Sequence, residues 1–261
     1  MSDNIVVTRI DGATGIITIN RPDALNMFDL PMLEALGGAL ADLEINAEVR
    51  VIVVTGAGDR AFAAGADIAD LNSRKGLAHY LDFAGRVHRL FRRFERCEKP
   101  TISAINGLAV GGGLELLLAT DIRIVADHAK LGLPEIALGL FPGGGGSQRL
   151  IRQIAPCKAR EMMFTGDSIS AAAALDMGLV NRVVPKEQLL PETMDLAQRI
   201  ARKSPLTLKL LKRTLMAGAD MPLPAALAHE QAMVSLLFDS ADAHEGCAAF
   251  LAKRPPVFDG R

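Results

Sequence analysis

The sequence predicts an α/β fold in which strand–loop–helix units coil into a stack, followed by a helical C-terminal region. Three observations carry this expectation. β-Branched runs alternate with segments of helical spacing through the first two thirds of the chain. The apolar runs end at glycines or in small-residue loops. After VVP (183–185) the spacing is helical almost throughout. No fixed sequence period stands out, so the units share a pattern and not a repeated motif.

IVVTRI (5–10) and GIITIN (15–20) read as strands separated by the turn DGATG. Asp29 offers a helix cap, and Leu33, Leu36, Leu40 and Leu43 follow as one apolar stripe. RVIVVTG (50–56) is a buried strand ending at glycine, and AGDRAFAAGADI (57–68) reads as a loop of small residues. A helix spans about 77–96, with Leu81, Ala84, Phe91 and Phe94 on one side. Arg86, Arg89, Arg93 and Arg96 fall on another side, read as a solvated face. TISAING (101–107) is a strand that leads into a glycine-led helix. DIRIVA (121–126) and a short strand at 130–133 follow. Ser204-Pro205 is a capped helix start with Pro in the first turn, and further helices are expected near 223–238 and 241–252. The boundary falls near 200, giving a core at 1–200 that holds the site and a helical region at 201–261.

The chain has 261 residues, 49% hydrophobic and 23% charged, enough to bury a sizeable core. Its 29 basic and 30 acidic residues leave a net charge of −1, which argues against a nucleic-acid binder. Three scattered cysteines suggest neither a disulfide framework nor a Cys-rich metal site, and favour a reducing compartment. The start MSDNIVVTRI lacks a secretory pattern. The longest stretch without Asp, Glu, Lys or Arg, Pro100 to Leu114, is too short and too glycine-rich to span a bilayer. A cytoplasmic protein with no membrane association is expected.

The chemistry-bearing candidates are few. In LAVGGGLELLLA (108–119), three glycines open a helix and one carboxylate, Glu115, stands among leucines. Glycines let a ligand approach the backbone, and a helix start aims free N–H groups at it. Glu135 in LPEI is a second carboxylate in an apolar setting. Each alone reads equally well as a dipole partner or a turn residue. Should they share one pocket, their repulsion would separate their pKa values, giving one general acid and one base. That equipment suits adding or removing water across a double bond, or moving a proton. AFAAGAD (61–67) offers main-chain contacts with almost no side chain. FPGGGGSQR (141–149) lacks the Gly-Lys-Ser/Thr ending of a P-loop and reads as a wall of the site or the lead into a helix. The five histidines show no metal spacing, and no G-x-S-x-G elbow is present, so no metal is expected.

In order, NRPDALN (20–26), AFAAGADI (61–68), INGLAVGGGLEL, ATDIRIVAD, LGLPEIALGLFPGGGGSQRL, FTGDSISAAAALDMGLVNRVVP and HEGCAAFLAKRPPVF resemble the enoyl-CoA hydratase/isomerase (crotonase) family nearly end to end. The resemblance implies a crotonase-like spiral of β-β-α turns with a C-terminal trimerisation region, packed as a homotrimer or a dimer of trimers. It also implies an acyl-CoA thioester substrate, with coenzyme A as part of the substrate and no separate cofactor. By the same resemblance, backbone N–H groups of Ala66 and Gly112 form the oxyanion hole. Glu115 would deprotonate the water that attacks C3 of a trans-2-enoyl-CoA, and Glu135 would protonate C2, in a fatty-acid type degradation. The implied CoA contacts are Arg21, Ala24, Leu25, Arg60, Ala64 and Ile68, with Phe250 and Lys253 from a neighbouring subunit. Phe83, Leu140, Phe141 and Phe164 read equally well as acyl-pocket lining or as core. The chain departs from the family pattern at Leu114, at the four consecutive glycines and at Asp23, where a basic residue is common; neither carboxylate is affected. Two other readings stay open here: an enoyl-CoA isomerase using mainly Glu135, and a non-catalytic acyl-CoA-binding protein on the same scaffold.

Overall fold

The computed structural model describes residues 4–261. β1 (Val6–Asp11) and β2 (Thr14–Ile19) form an antiparallel hairpin. α1 (Leu30–Ile45) starts at Asp29, whose carboxylate accepts the Met32 N–H at 2.9 Å, and it buries Leu33, Leu36, Leu40 and Leu43 as the stripe required. The chain then repeats one path. β3 (Val51–Gly56) is followed by β4 (Ala61–Ala63) and by the helices α2 (Ile68–Ser73) and α3 (Leu77–Arg96). β5 (Thr101–Ile105) is followed by β6 (Leu108–Val110) and α4 (Gly112–Leu117), and β7 (Ile122–Ala126) by β8 (Lys130–Gly132). α5 (Gly146–Gln153), α6 (Pro156–Thr165), β9 (Ile169–Ser170), α7 (Ala171–Asp176) and β10 (Arg182–Val184) complete the core. α8 (Leu189–Ala201), α9 (Pro205–Gly218), α10 (Leu223–Ser235) and α11 (Ala241–Leu251) follow.

Each turn of the path contributes one strand to each of two sheets, so the expected coil is a spiral. The larger sheet runs β1-β2-β3-β5-β7-β10 and the smaller β4-β6-β8-β9. β3, β5 and β7 are parallel neighbours, as are β4, β6 and β8, and this is the arrangement a continuing coil demands. β3 and β5 are buried along their whole length, which explains their unbroken apolar runs. Phe28, Phe62, Phe91 and Phe94 are fully buried in the main core. Burying a side chain of this size contributes roughly 1.5–3 kcal/mol relative to exposure.

Two local expectations change. The stretch 57–68 is not one loop: Ala61 pairs with Leu108 and Ala63 with Ala109, and the Asp67 carboxylate accepts the Ala69 and Asp70 N–H groups to start α2. A three-residue strand has too short a pattern to be read without its partner. In α3, Leu81 is 59% exposed, while Phe83, Val87, Leu90, Phe91 and Phe94 form the buried side. The arginine row is the solvated face expected: Arg89 and Arg96 are exposed, while Arg86 pairs with Glu34 and Asp82 and Arg93 with Glu44. No helix among the described residues is long and apolar enough to cross a membrane.

Candidate active site

The glycine triplet divides its labour. Gly111 lies at φ 54, ψ −128, outside the range of ordinary L residues, and turns the chain from β6 into α4. A Cβ on Gly113 would sit 2.0 Å from the Ala63 carbonyl oxygen, so α4 packs backbone to backbone against β4. Gly112 is the first helical residue, and its N–H has no acceptor among the described residues. The Ala66 N–H has none either. The Ala66 segment is pinned by Phe28, whose N–H donates to Gly65 O at 2.7 Å and whose carbonyl accepts the Asp67 N–H at 2.8 Å. Gly65 brings the two segments into contact, since a Cβ there would lie 3.1 Å from the Gly112 nitrogen. Two unspent donors therefore stand side by side on one cavity wall.

Glu115 is 4% exposed. Its Oε1 accepts two backbone N–H groups, from Gly144 at 2.7 Å and Gly146 at 2.8 Å, at the glycine turn that starts α5. Burial pushes its pKa up; the Gly146 and Gly144 N–H groups and the Arg149 charge pull it back. Glu135 sits in the short 3-10 helix Pro134–Leu138, and its Oε2 is buried without a hydrogen-bond partner. Burial raises its pKa to about 7, helped by the Glu115 charge and offset in part by a backbone hydrogen bond of its own. Gly111 touches both residues: a Cβ there would meet Glu135 Oε1 at 3.3 Å, and its carbonyl accepts the Glu115 backbone N–H at 2.9 Å. Glu115 is thus gripped by donors that favour its anion against the cost of burial, while Glu135 has an oxygen without a partner and its burial favours the proton.

Both glutamates, Ala66 and Gly112 line one cavity of about 130 Å³. A buried water needs roughly 10–15 Å³ of such space, so there is room for a ligand and a water together. Its other walls are apolar, among them Phe28, Phe83, Val87, Phe91, Leu140 and Phe141, with the Tyr80 ring at the rim. Of the four candidates for an acyl pocket, Phe83, Leu140 and Phe141 line it; Phe164 is 73% exposed and does not. A reaction that draws a proton from Glu135 is expected to slow as pH rises through about 7, where the donor ionises. A profile of kcat/KM against pH checks this.

The outlying residues fall into three places. Ala64 and Ile68 line the cavity, and Ala24 and Leu25 lie behind Ala64, whose N–H donates to the Leu25 carbonyl at 3.0 Å. Arg60 is exposed and in no ion pair among the described residues. Arg21 is already engaged, paired with Asp29 and donating to the Met27 carbonyl at 2.5 Å. Phe250 and Lys253, at the end of α11, are exposed and outside the cavity lining of their own chain. Sequence reasoning missed Arg149, Glu95 and the two N–H groups that hold Glu115. Their one signal was a glycine run leading into a helix three residues before an arginine.

Residues 9–261 match the model of the family described as Enoyl-CoA hydratase/isomerase. The chain is 36% identical over 254 residues to the Short-chain-enoyl-CoA hydratase of Clostridium acetobutylicum, covering 97% of each. It is 38% identical over 256 residues to the Crotonyl-CoA hydratase of Syntrophomonas wolfei, covering 98% of each. It is 40% identical over 246 residues to the 2,3-dehydroadipyl-CoA hydratase of Escherichia coli, covering 94% of this chain and 95% of that one. Among solved structures, an enoyl-CoA hydratase from Bacillus anthracis superposes with a TM-score of 0.95 at 35% identity, covering 98% of this chain and 100% of that one.

Proposed function

The chain belongs to the enoyl-CoA hydratase/isomerase family, and from that premise we propose that it is an enoyl-CoA hydratase in which Glu115 and Glu135 share the proton work. The enoyl thioester enters the cavity with its carbonyl oxygen toward the Ala66 and Gly112 N–H groups. Ionised Glu115 takes a proton from water as the water oxygen bonds to C3. The C2–C3 π pair moves toward C2 and the thioester oxygen, where the two N–H groups stabilise the growing negative charge. Glu135 gives its proton to C2, completing syn addition and leaving a 3-hydroxyacyl-CoA. The reading rests on one observation above the rest: two carboxylates, one held by two backbone N–H groups and one with a partnerless oxygen, share an apolar cavity with two unspent backbone donors.

Coenzyme A arrives with the substrate. Ala24, Leu25, Ala64 and Ile68 form the rim where its adenosine would lie, and Arg60 supplies a cation for a phosphate. Arg21, braced by Asp29, shapes that rim, and Lys253 with Phe250 would reach it from a neighbouring subunit. We place the enzyme in the cytoplasm, in a degradation of the fatty-acid type.

We further propose that residues 201–261 serve oligomerisation, as a trimer or a dimer of trimers. Large apolar side chains in this region face outward in the single chain, including Leu215 at 64%, Leu223 at 70%, Phe238 at 75% and Phe250 at 83% exposure. Analytical ultracentrifugation is expected to give a trimer or hexamer, and Leu215→Asp with Phe238→Asp to shift the population to smaller species. A monomeric wild type would remove this part of the reading.

Product analysis tests the chemistry. Crotonyl-CoA incubated in oxygen-18-labelled water is expected to yield 3-hydroxybutyryl-CoA with the label at C3. Conversion of a 3-enoyl-CoA to its 2-enoyl isomer without any hydration would favour the isomerase instead.

A further inference from the structure

The turn that grips Glu115 is itself gripped. Arg149, in the first turn of α5, donates from Nε and Nη2 to Glu95 Oε1 and Oε2 on α3, at 2.8 and 3.0 Å. Its Nη1 donates to the Gly144 carbonyl at 3.1 Å. Gly144 therefore gives its N–H to Glu115 and its carbonyl to Arg149. The guanidinium lies against the turn, for a Cβ on Gly145 would fall 2.0 Å from Nη1. The pair is sheltered, with Arg149 14% and Glu95 35% exposed at the side chain. An exposed ion pair of this kind would matter little. This one bridges a catalytic carboxylate's support to a long helix, and only a planar fork can meet the carboxylate and the carbonyl together.

The groups facing Glu115 are few. Across the cavity stands Glu135, from α3 come apolar Val87 and Phe91 together with the Tyr80 hydroxyl at the rim, and from α5 comes Arg149 with Glu95 behind it. Among the described residues, Arg149 is the one cation acting on Glu115.

We propose that Arg149 is a positioning residue for hydration: anchored on Glu95, it fixes the Gly143–Gly146 turn that presents two N–H groups to Glu115, and it places a positive charge behind that turn. This rests on the hydratase reading above. The test compares crotonyl-CoA hydration by wild type, Arg149→Met and Arg149→Lys across pH, with kcat and KM separated. Arg149→Met is expected to lower kcat about 10- to 100-fold, the cost of a slightly misplaced reacting group, with KM nearly unchanged. The acid limb of its kcat profile is expected to move to higher pH, because loss of a nearby positive charge makes a carboxylate harder to ionise. Arg149→Lys keeps the charge without the fork; its acid limb is expected to stay near that of wild type, with kcat reduced less.

A wild type that never hydrates crotonyl-CoA defeats the hydratase reading and is recognised as such before any variant is compared. With an active wild type, an unmoved acid limb in Arg149→Met overturns the proposal, and so does a Lys variant indistinguishable from Met. Circular dichroism checks folding. If the Met variant does not fold, Glu95→Gln decides: it removes the anchor and leaves the charge, so kcat must fall without a rise in the acid limb, and an unchanged kcat overturns the proposal.

Discussion

Glu115→Gln and Glu135→Gln are each expected to cut the turnover of crotonyl-CoA by at least ~100-fold, since a general acid or base contributes roughly 10²–10⁴-fold. The two losses should differ in kind. In Glu115→Gln the amide oxygen can still accept the Gly144 and Gly146 N–H groups, so the loop survives and what disappears is the base. In Glu135→Gln no proton can be delivered to C2, and the new amide enters a position where Glu135 Oε2 already has no partner. Glu135→Gln should also lose the alkaline fall through about 7 from whatever activity it retains. Stopped-assay kinetics with thermal melts separate these outcomes from misfolding. Near-normal turnover in either variant would show that its carboxylate is not part of the proton path.

Gly113→Ala is expected to remove nearly all activity, because its Cβ would lie 2.0 Å from the Ala63 carbonyl oxygen and neither backbone segment can give way cheaply. α4 must shift outward, carrying the Gly112 N–H and Glu115 with it. A displacement on the order of 1 Å can cost ~100-fold in rate. Overpacking of this kind also costs typically about 1–3 kcal/mol of stability. Gly38→Ala is the matched control. It lies within α1 with nothing within 4 Å of the added Cβ. There the substitution should be neutral or stabilising by about 0.4–1 kcal/mol, through the unfolded state. Thermal unfolding and hydration rates for both variants check the contrast. Equal behaviour of the two would mean that α4 does not depend on a bare backbone.

What was legible in the sequence was what short-range physics dictates. Asp29 and Ser204 cap the helices expected of them, accepting the Met32 and Thr207 N–H groups. The Leu33–Leu43 stripe is buried because a 3.6-residue period leaves no other face for it. The strand in 61–63 was not legible, because three residues carry no period and pairing with β6 is what holds them extended. The two carboxylates could be singled out by their apolar neighbours, yet whether they met depended on the whole spiral. Glu115's own partners lie 29 and 31 residues away, at Gly144 and Gly146. Nothing local to LAVGGGLELLLA announces them. Arg149 was hidden for the same reason, since its importance lies in Glu95, 54 residues earlier, and in a carbonyl that sequence patterns do not show.

The family resemblance set the chemistry in outline, and the geometry states what the carboxylates must do. The central claim is that ionised Glu115 and protonated Glu135 add water across a conjugated enoyl thioester. Its most direct test is to mix the purified wild-type protein with crotonyl-CoA and follow the ultraviolet absorbance of the conjugated thioester. A catalysed fall in absorbance as 3-hydroxybutyryl-CoA forms is expected, suppressed by Glu115→Gln and by Glu135→Gln. Saturable binding of crotonyl-CoA with no change in that absorbance would contradict it.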